Sequence, residues 1–268
     1  MNKKSAPVIH PVIPPDVAKS NHPPLHEHLP QIDGAGGGAL ILMISPIRTG
    51  KSTIISNLLL GDSDMGFYDA QERFHSTTII SNTIANDVTS RFLAKAFDTH
   101  DSYNDHIIDG IVNQQKSYDK EEQPEIAVVL DDCLGSIRRE ARINHLASRF
   151  RHFNIKLLII SSQNFRMCST IIRQNATNVI VGSPFPNEKE LGKMAEEYGD
   201  SFGGGKNWLE IYKKATPNQY DFLHMDFQSN PPKAYSNFET LIATGPTHAT
   251  GKEEAPPAEP EPEPQTKS

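Results

Sequence analysis

Residues 45–52 constrain the fold of this chain more than any others. Ser45-Pro46-Ile47-Arg48-Thr49-Gly50-Lys51-Ser52 joins an aliphatic run, Ala39–Ile44, to an apolar stretch with helical character at 53–60. Strand, tight loop and helix in that order place backbone N–H groups at a helix N-terminus, where they hold an anion. Gly50 permits close backbone approach, Lys51 reaches the outer phosphates of ATP, and the Ser52 hydroxyl is placed to ligate Mg2+. The expected nucleotide-binding segment is therefore Ser45, Pro46, Ile47, Arg48, Thr49, Gly50, Lys51, Ser52 and Thr53. The usual pattern opens on glycine, and Ser45 stands in that place. Serine is compatible with the loop where its backbone need not take positive φ.

A second apolar run, 126–130, ends in Asp131-Asp132. Beside a phosphate loop, such a pair is expected to divide its work: Asp131 holds Mg2+ with Ser52, and Asp132 polarises the water attacking the γ-phosphate. Successive strand side chains point to opposite faces, so both acids meet one ligand only if the strand ends between them. A third run, 155–161, continues into Ser162 and Gln163. A polar group at that carboxyl end can sense the γ-phosphate, and Gln163 is the candidate. Arg149 and Arg151 precede this run and Arg173 follows it; one of them is a candidate arginine finger acting on a neighbouring subunit's site. No Asn-Lys-x-Asp motif is present, which disfavours guanine specificity.

Further short apolar runs lie at 77–81, 178–181 and 221–225. Several are apolar at consecutive positions, as expected of strands covered on both faces. Helical spacing connects Val88, Phe92, Ala96 and Phe97, and again Ile107, Ile108, Ile111 and Val112, with a polar helix at 187–198. The expected fold class is α/β, a mostly parallel central sheet with helices on both faces. The expected organisation is a disordered proline-rich arm over 1–33, an ATPase domain over 38–242 and a disordered Pro/Glu-rich acidic tail over 243–268. His26 and His28 fall in the arm and read as solvated side chains rather than metal ligands.

Composition removes several classes. Ala39–Ile44 is the longest unbroken aliphatic stretch, against roughly 20 residues for a membrane helix, so no transmembrane segment is expected. The N-terminal lysines are not followed by an apolar segment, so the chain does not read as secreted. Two cysteines, Cys133 and Cys168, are too few for a disulfide framework or a four-cysteine zinc site, which suits a reducing compartment. The formal net charge of −7 argues at first sight against a nucleic-acid partner. Its distribution argues otherwise: residues 138–173 hold eight Arg or Lys against the single acid Glu140, a local basic stretch.

The series of phosphate loop, strand with Asp131-Asp132, Arg151-His152-Phe153-Asn154-Ile155, strand with Ser161-Ser162-Gln163, then Arg173-Gln174-Asn175 resembles one family. These are the DNA-packaging ATPases of large nucleocytoplasmic DNA viruses and their smaller relatives, in the FtsK–HerA-like branch of P-loop motors. The resemblance covers roughly residues 38–230 and leaves both tails unmatched. It implies an ATP-driven ring of identical subunits, a pentamer or hexamer, that moves double-stranded genomic DNA into a preformed capsid. Carried over by position, Lys51 and Ser52 bind ATP and Mg2+, Asp131 and Asp132 are the metal and catalytic acids, and Gln163 is the strand-end sensor. It further implies capsid or portal-site proteins as partners, and a location in the virion or in a cytoplasmic virus factory. Two other readings stay open: a helicase or segregation ATPase sharing the same site, and a scaffold that binds nucleotide without turnover.

Overall fold

The computed structural model describes residues 22–33, 37–84, 90–136 and 142–246. Its strands are β1 (Ala39–Ile44), β2 (Ser76–Ser81), β3 (Asp98–His100), β4 (Ile126–Asp131), β5 (Ile155–Ser162), β6 (Asn178–Gly182), β7 (Phe222–Asp226), β8 (Lys233–Ser236) and β9 (Thr240–Thr244). The longer helices are α1 (Lys51–Leu60), α2 (Ala70–Arg73), α3 (Ser90–Ala96), α4 (Asp105–Lys116), α5 (Arg142–Arg149), α6 (Thr170–Asn175), α7 (Glu188–Tyr198) and α8 (Gly205–Ala215).

The strands form one nine-stranded sheet in the order β3-β2-β4-β5-β1-β6-β7-β8-β9. The first six in that order run parallel, and β7, β8 and β9 add an antiparallel meander. The expected mostly parallel α/β sheet is thus observed. Every residue of β1, β4 and β6 is buried, because both faces of the sheet are covered. Alternation along β1 divides the core in two. Leu40, Leu42 and Ile44 join the side chains of α4, α5, α6, α7 and α8, whereas Ala39, Ile41 and Met43 join those of α1 and α3.

Helix α8 is a finding beyond the sequence reading. Trp208, Ile211, Tyr212 and Ala215 have helical spacing and are all buried, with the Trp208 ring stacked on Tyr212 at 5.9 Å. Truncating such a fully enclosed aromatic typically costs about 3–5 kcal/mol.

The arm expected through residue 33 needs correction over 22–33, which packs against the domain as a strap. Leu29 and Ile32 are buried in the α1 side of the core. The Tyr68 hydroxyl donates to Pro30 O at 2.7 Å, and the buried Arg73 guanidinium donates to Pro23 O and Asp33. Two apolar anchors and an arginine bonded through all three of its nitrogens offset the entropy of ordering a short proline-rich stretch. At the other end the sheet continues through Thr244. The rest of the arm, and the tail from 247 onward, lie outside the described residues.

Candidate active site

Parallel pairing lines up the carboxyl ends of the central strands. Ile44 sits beside Ser162, and Ser81 beside Asp131. Ligand sites of open α/β sheets form at this edge. Strand β5 separates β1 from β4, so the acids face the phosphate loop across the end of the Gln163-bearing strand.

Chain reversal at 45–50 follows from two left-handed residues, Arg48 at φ 62° and Gly50 at φ 86°. Gly50 caps α1, and its carbonyl accepts the Ile54 N–H at 2.9 Å. Ser45 is fully buried and is not among the positive-φ residues, so the serine meets no backbone penalty. Its hydroxyl bonds that of Thr49, which in turn donates to Pro46 O at 2.7 Å. Space for the Ser45 side chain comes from Gly182 at the end of β6, where an added Cβ would lie 2.1 Å from Ser45 Oγ. The small residue has moved from the loop to the neighbouring strand. Gly182→Ala should therefore lower stability by about 1–3 kcal/mol, the usual overpacking cost, and adding Ser45→Gly should recover most of it. Urea denaturation of the two single variants and the double variant measures this coupling; equal losses in Gly182→Ala and the double variant would refute it.

Strand β4 ends at Asp131, and Asp132 takes φ 57°. That turn, which aspartate tolerates better than most residues, returns the second carboxylate to the cleft. Both acids consequently reach Lys51, whose Nζ lies 3.2 Å from Asp132 Oδ1 and 4.0 Å from Asp131 Oδ1. Their surroundings differ. Asp131 is 5% exposed and accepts hydrogen bonds from Ser161 Oγ at 2.5 Å and Ser81 Oγ at 3.2 Å. Asp132 is more open, and its Oδ2 accepts from Gln163 Nε2. A cleft of about 790 Å3 lies over Gly50, Lys51, Ser52, Asp131, Asp132 and Gln163.

The expected loop, acids and strand-end glutamine thus come together. Arg149 and Arg151 do not. They precede the amino end of β5, about 25 Å from its carboxyl end at the usual rise per strand residue, and both are exposed. Arg173 is engaged elsewhere, 3.3 Å from Glu197 and 4.7 Å over the Phe165 ring.

The local basic stretch is also corrected. Acids distant in sequence neutralise much of it: Arg142 pairs with Asp109, Lys156 with Glu125, Arg166 with Glu190 and Arg173 with Glu197. Arg138 and Arg139 lie outside the described residues. Three participants at the site carry no signal in the sequence: Ser81, Thr83 and Tyr220. The first holds Asp131, and the other two line the cleft.

The donor set suits Mg2+. Asp131 and the Ser52 hydroxyl are hard oxygen donors, and each Asp131 oxygen keeps a lone pair beyond its serine bond. Among the described residues no cluster of three or more His, Cys, Asp or Glu could hold a metal. None is needed for an ion that draws its remaining ligands from phosphate and water.

The DNA-packaging ATPase B204 of Sulfolobus turreted icosahedral virus superposes with a TM-score of 0.54 at 18% identity, covering 74% of this chain and 97% of that one. The fold is that of a P-loop ATPase. The genome-packaging NTPase B204 of Sulfolobus turreted icosahedral virus 2 matches both in complex with sulfate and in complex with AMPPCP. Each of these two structures gives a TM-score of 0.51 at 16% identity, covering 75% of this chain and 97% of that one. No protein-family model matches the chain, and no curated protein matches it. The P-loop ATPase fold thus rests on three-dimensional likeness. Among the described residues, no helix is long and apolar enough to cross a membrane.

Proposed function

We propose that this chain is an ATP-hydrolysing motor that translocates double-stranded DNA, as a ring of identical subunits loading a viral genome into a capsid. The observation that carries the reading is the junction of Lys51, Asp132 and Gln163 at the mouth of the phosphate loop. The α1 N-terminal N–H groups and the Lys51 ammonium bind the triphosphate. Asp132, oriented by Gln163, accepts a proton from the attacking water. Asp131 and Ser52 would hold Mg2+, which when bound neutralises phosphate charge. A ring is part of the reading because Arg149 and Arg151 are exposed and remote from their own site, so either could serve only a neighbour's γ-phosphate. The B204 structures support packaging rather than unwinding as the use of this fold. Capsid or portal-site proteins are the expected docking partners, in the virion or in a cytoplasmic virus factory.

Steady-state ATP hydrolysis with long duplex DNA, single strands or RNA tests the proposal. The expected result is a several-fold stimulation by long duplex alone. Stimulation by single strands instead would identify a helicase. ATP binding without turnover under every condition would identify a scaffold.

A further inference from the structure

The nucleotide cleft does not end at the phosphate loop. A second cavity of about 490 Å3 opens beside it, and Ile54 and Tyr220 line both. A nucleotide whose phosphates lie at the α1 N-terminus must carry its base onward, and the second cavity continues past Ile54 to Asn57 and Leu58 on the next turn of α1. Its walls are aromatic: Phe67, Phe222 and Phe238 line it, and the last two rings meet edge-on at 5.0 Å.

Tyr220 stands at the junction of the two cavities. An added Cβ on Gly50 would lie 3.7 Å from Tyr220 Cδ1, so the ring is beside the phosphate loop itself. The backbone there takes φ 75°, a conformation unfavourable for an aromatic residue. A tight turn imposes it: the Asn218 backbone N–H donates to Asp221 Oδ2 at 2.8 Å, and Asp221 Oδ1 accepts from Asn237 Nδ2 at 3.2 Å. Yet the Tyr220 side chain contributes little to the core, because the residue is 57% exposed. Strain held in place for an exposed ring at the rim of a cleft is characteristic of a ligand clamp.

We propose that Tyr220 and this second cavity form the base subsite, with a purine ring stacked on Tyr220 and lying over Ile54. The inference rests on the nucleotide-hydrolysing reading above and adds the part of the substrate that the phosphate loop does not touch. A flat, apolar ring face is the chemistry that an exposed tyrosine and aromatic walls recognise.

Calorimetric titration of wild type, Tyr220→Ala and Tyr220→Phe with ATP and with inorganic tripolyphosphate tests it. Tyr220→Ala should weaken ATP binding by about tenfold or more, the usual worth of one base–aromatic stack. It should leave tripolyphosphate affinity unchanged, and Tyr220→Phe should bind ATP as wild type does. Unchanged ATP affinity in Tyr220→Ala would overturn the subsite while leaving the phosphate site standing, and parallel loss of both ligands would overturn it by placing Tyr220 at the phosphates instead. Wild-type protein that bound neither ligand would overturn the nucleotide reading and the base subsite with it.

Discussion

Lys51→Ala should all but abolish ATP hydrolysis, with turnover expected to fall by about 10²–10³ or more, the usual loss when one charge-stabilising donor is removed. The ammonium stands 3.2 Å from Asp132 and 4.0 Å from Asp131, so it has two tasks. On the proposed reading it compensates charge on the outer phosphates, and that interaction strengthens as charge develops in the transition state. Within the cleft it also neighbours two carboxylates that would otherwise repel each other. Its loss therefore leaves the two acids facing each other as well as removing a phosphate contact. Lys51→Ala should bind ATP more weakly than wild type. Undiminished hydrolysis would remove Lys51 from the site.

The second large effect separates the adjacent acids. Asp132→Asn should retain ATP affinity within about threefold while hydrolysis drops by about 10²–10⁴, the range for loss of a general base. Asn cannot take a proton, but it keeps the shape that Gln163 contacts. Asp131→Asn should impair both Mg·ATP binding and turnover. Its carboxylate accepts two serine hydroxyls, from Ser161 and Ser81, and an amide would turn an N–H toward one of them. ATP affinity with single-turnover hydrolysis distinguishes the two variants. Normal turnover in Asp132→Asn beside a dead Asp131→Asn would reverse the assignment.

How far the sequence could be read depended on burial. Runs 126–130 and 155–161 ended within a residue of β4 and β5, because strands enclosed on both faces carry unbroken aliphatic sequence. Strands β3 and β9 are largely exposed or half-buried and lack that signature. Asp131, Asp132 and Gln163 were legible because they stand at or just past the ends of buried strands, and Lys51 because it opens the helix after the loop that follows one. Ser45 was legible as a departure from the motif but not as a tolerated one, since its compensation lies in Gly182, far along the chain. Tyr220 could not be found, because only a turn closed by Asn218, Asp221 and Asn237 brings it to the cleft. The apparent basic stretch failed for the opposite reason: Asp109, Glu125, Glu190 and Glu197 reach it from other elements.

The strap at 22–33 has a mechanical consequence. Its fixings are the Arg73 guanidinium, the Tyr68 hydroxyl and the bond from His26 N to Gly66 O at 3.0 Å. His26 and Leu29 of the same strap line the second cavity. Tension on the chain ahead of residue 22 would enter the domain through these fixings and through the contacts of His28 with Phe238 and of Gln31 with Gln228. A tether attached there would tug directly on the wall of that cavity, so that grip on a partner and grip on a ligand would share one lever.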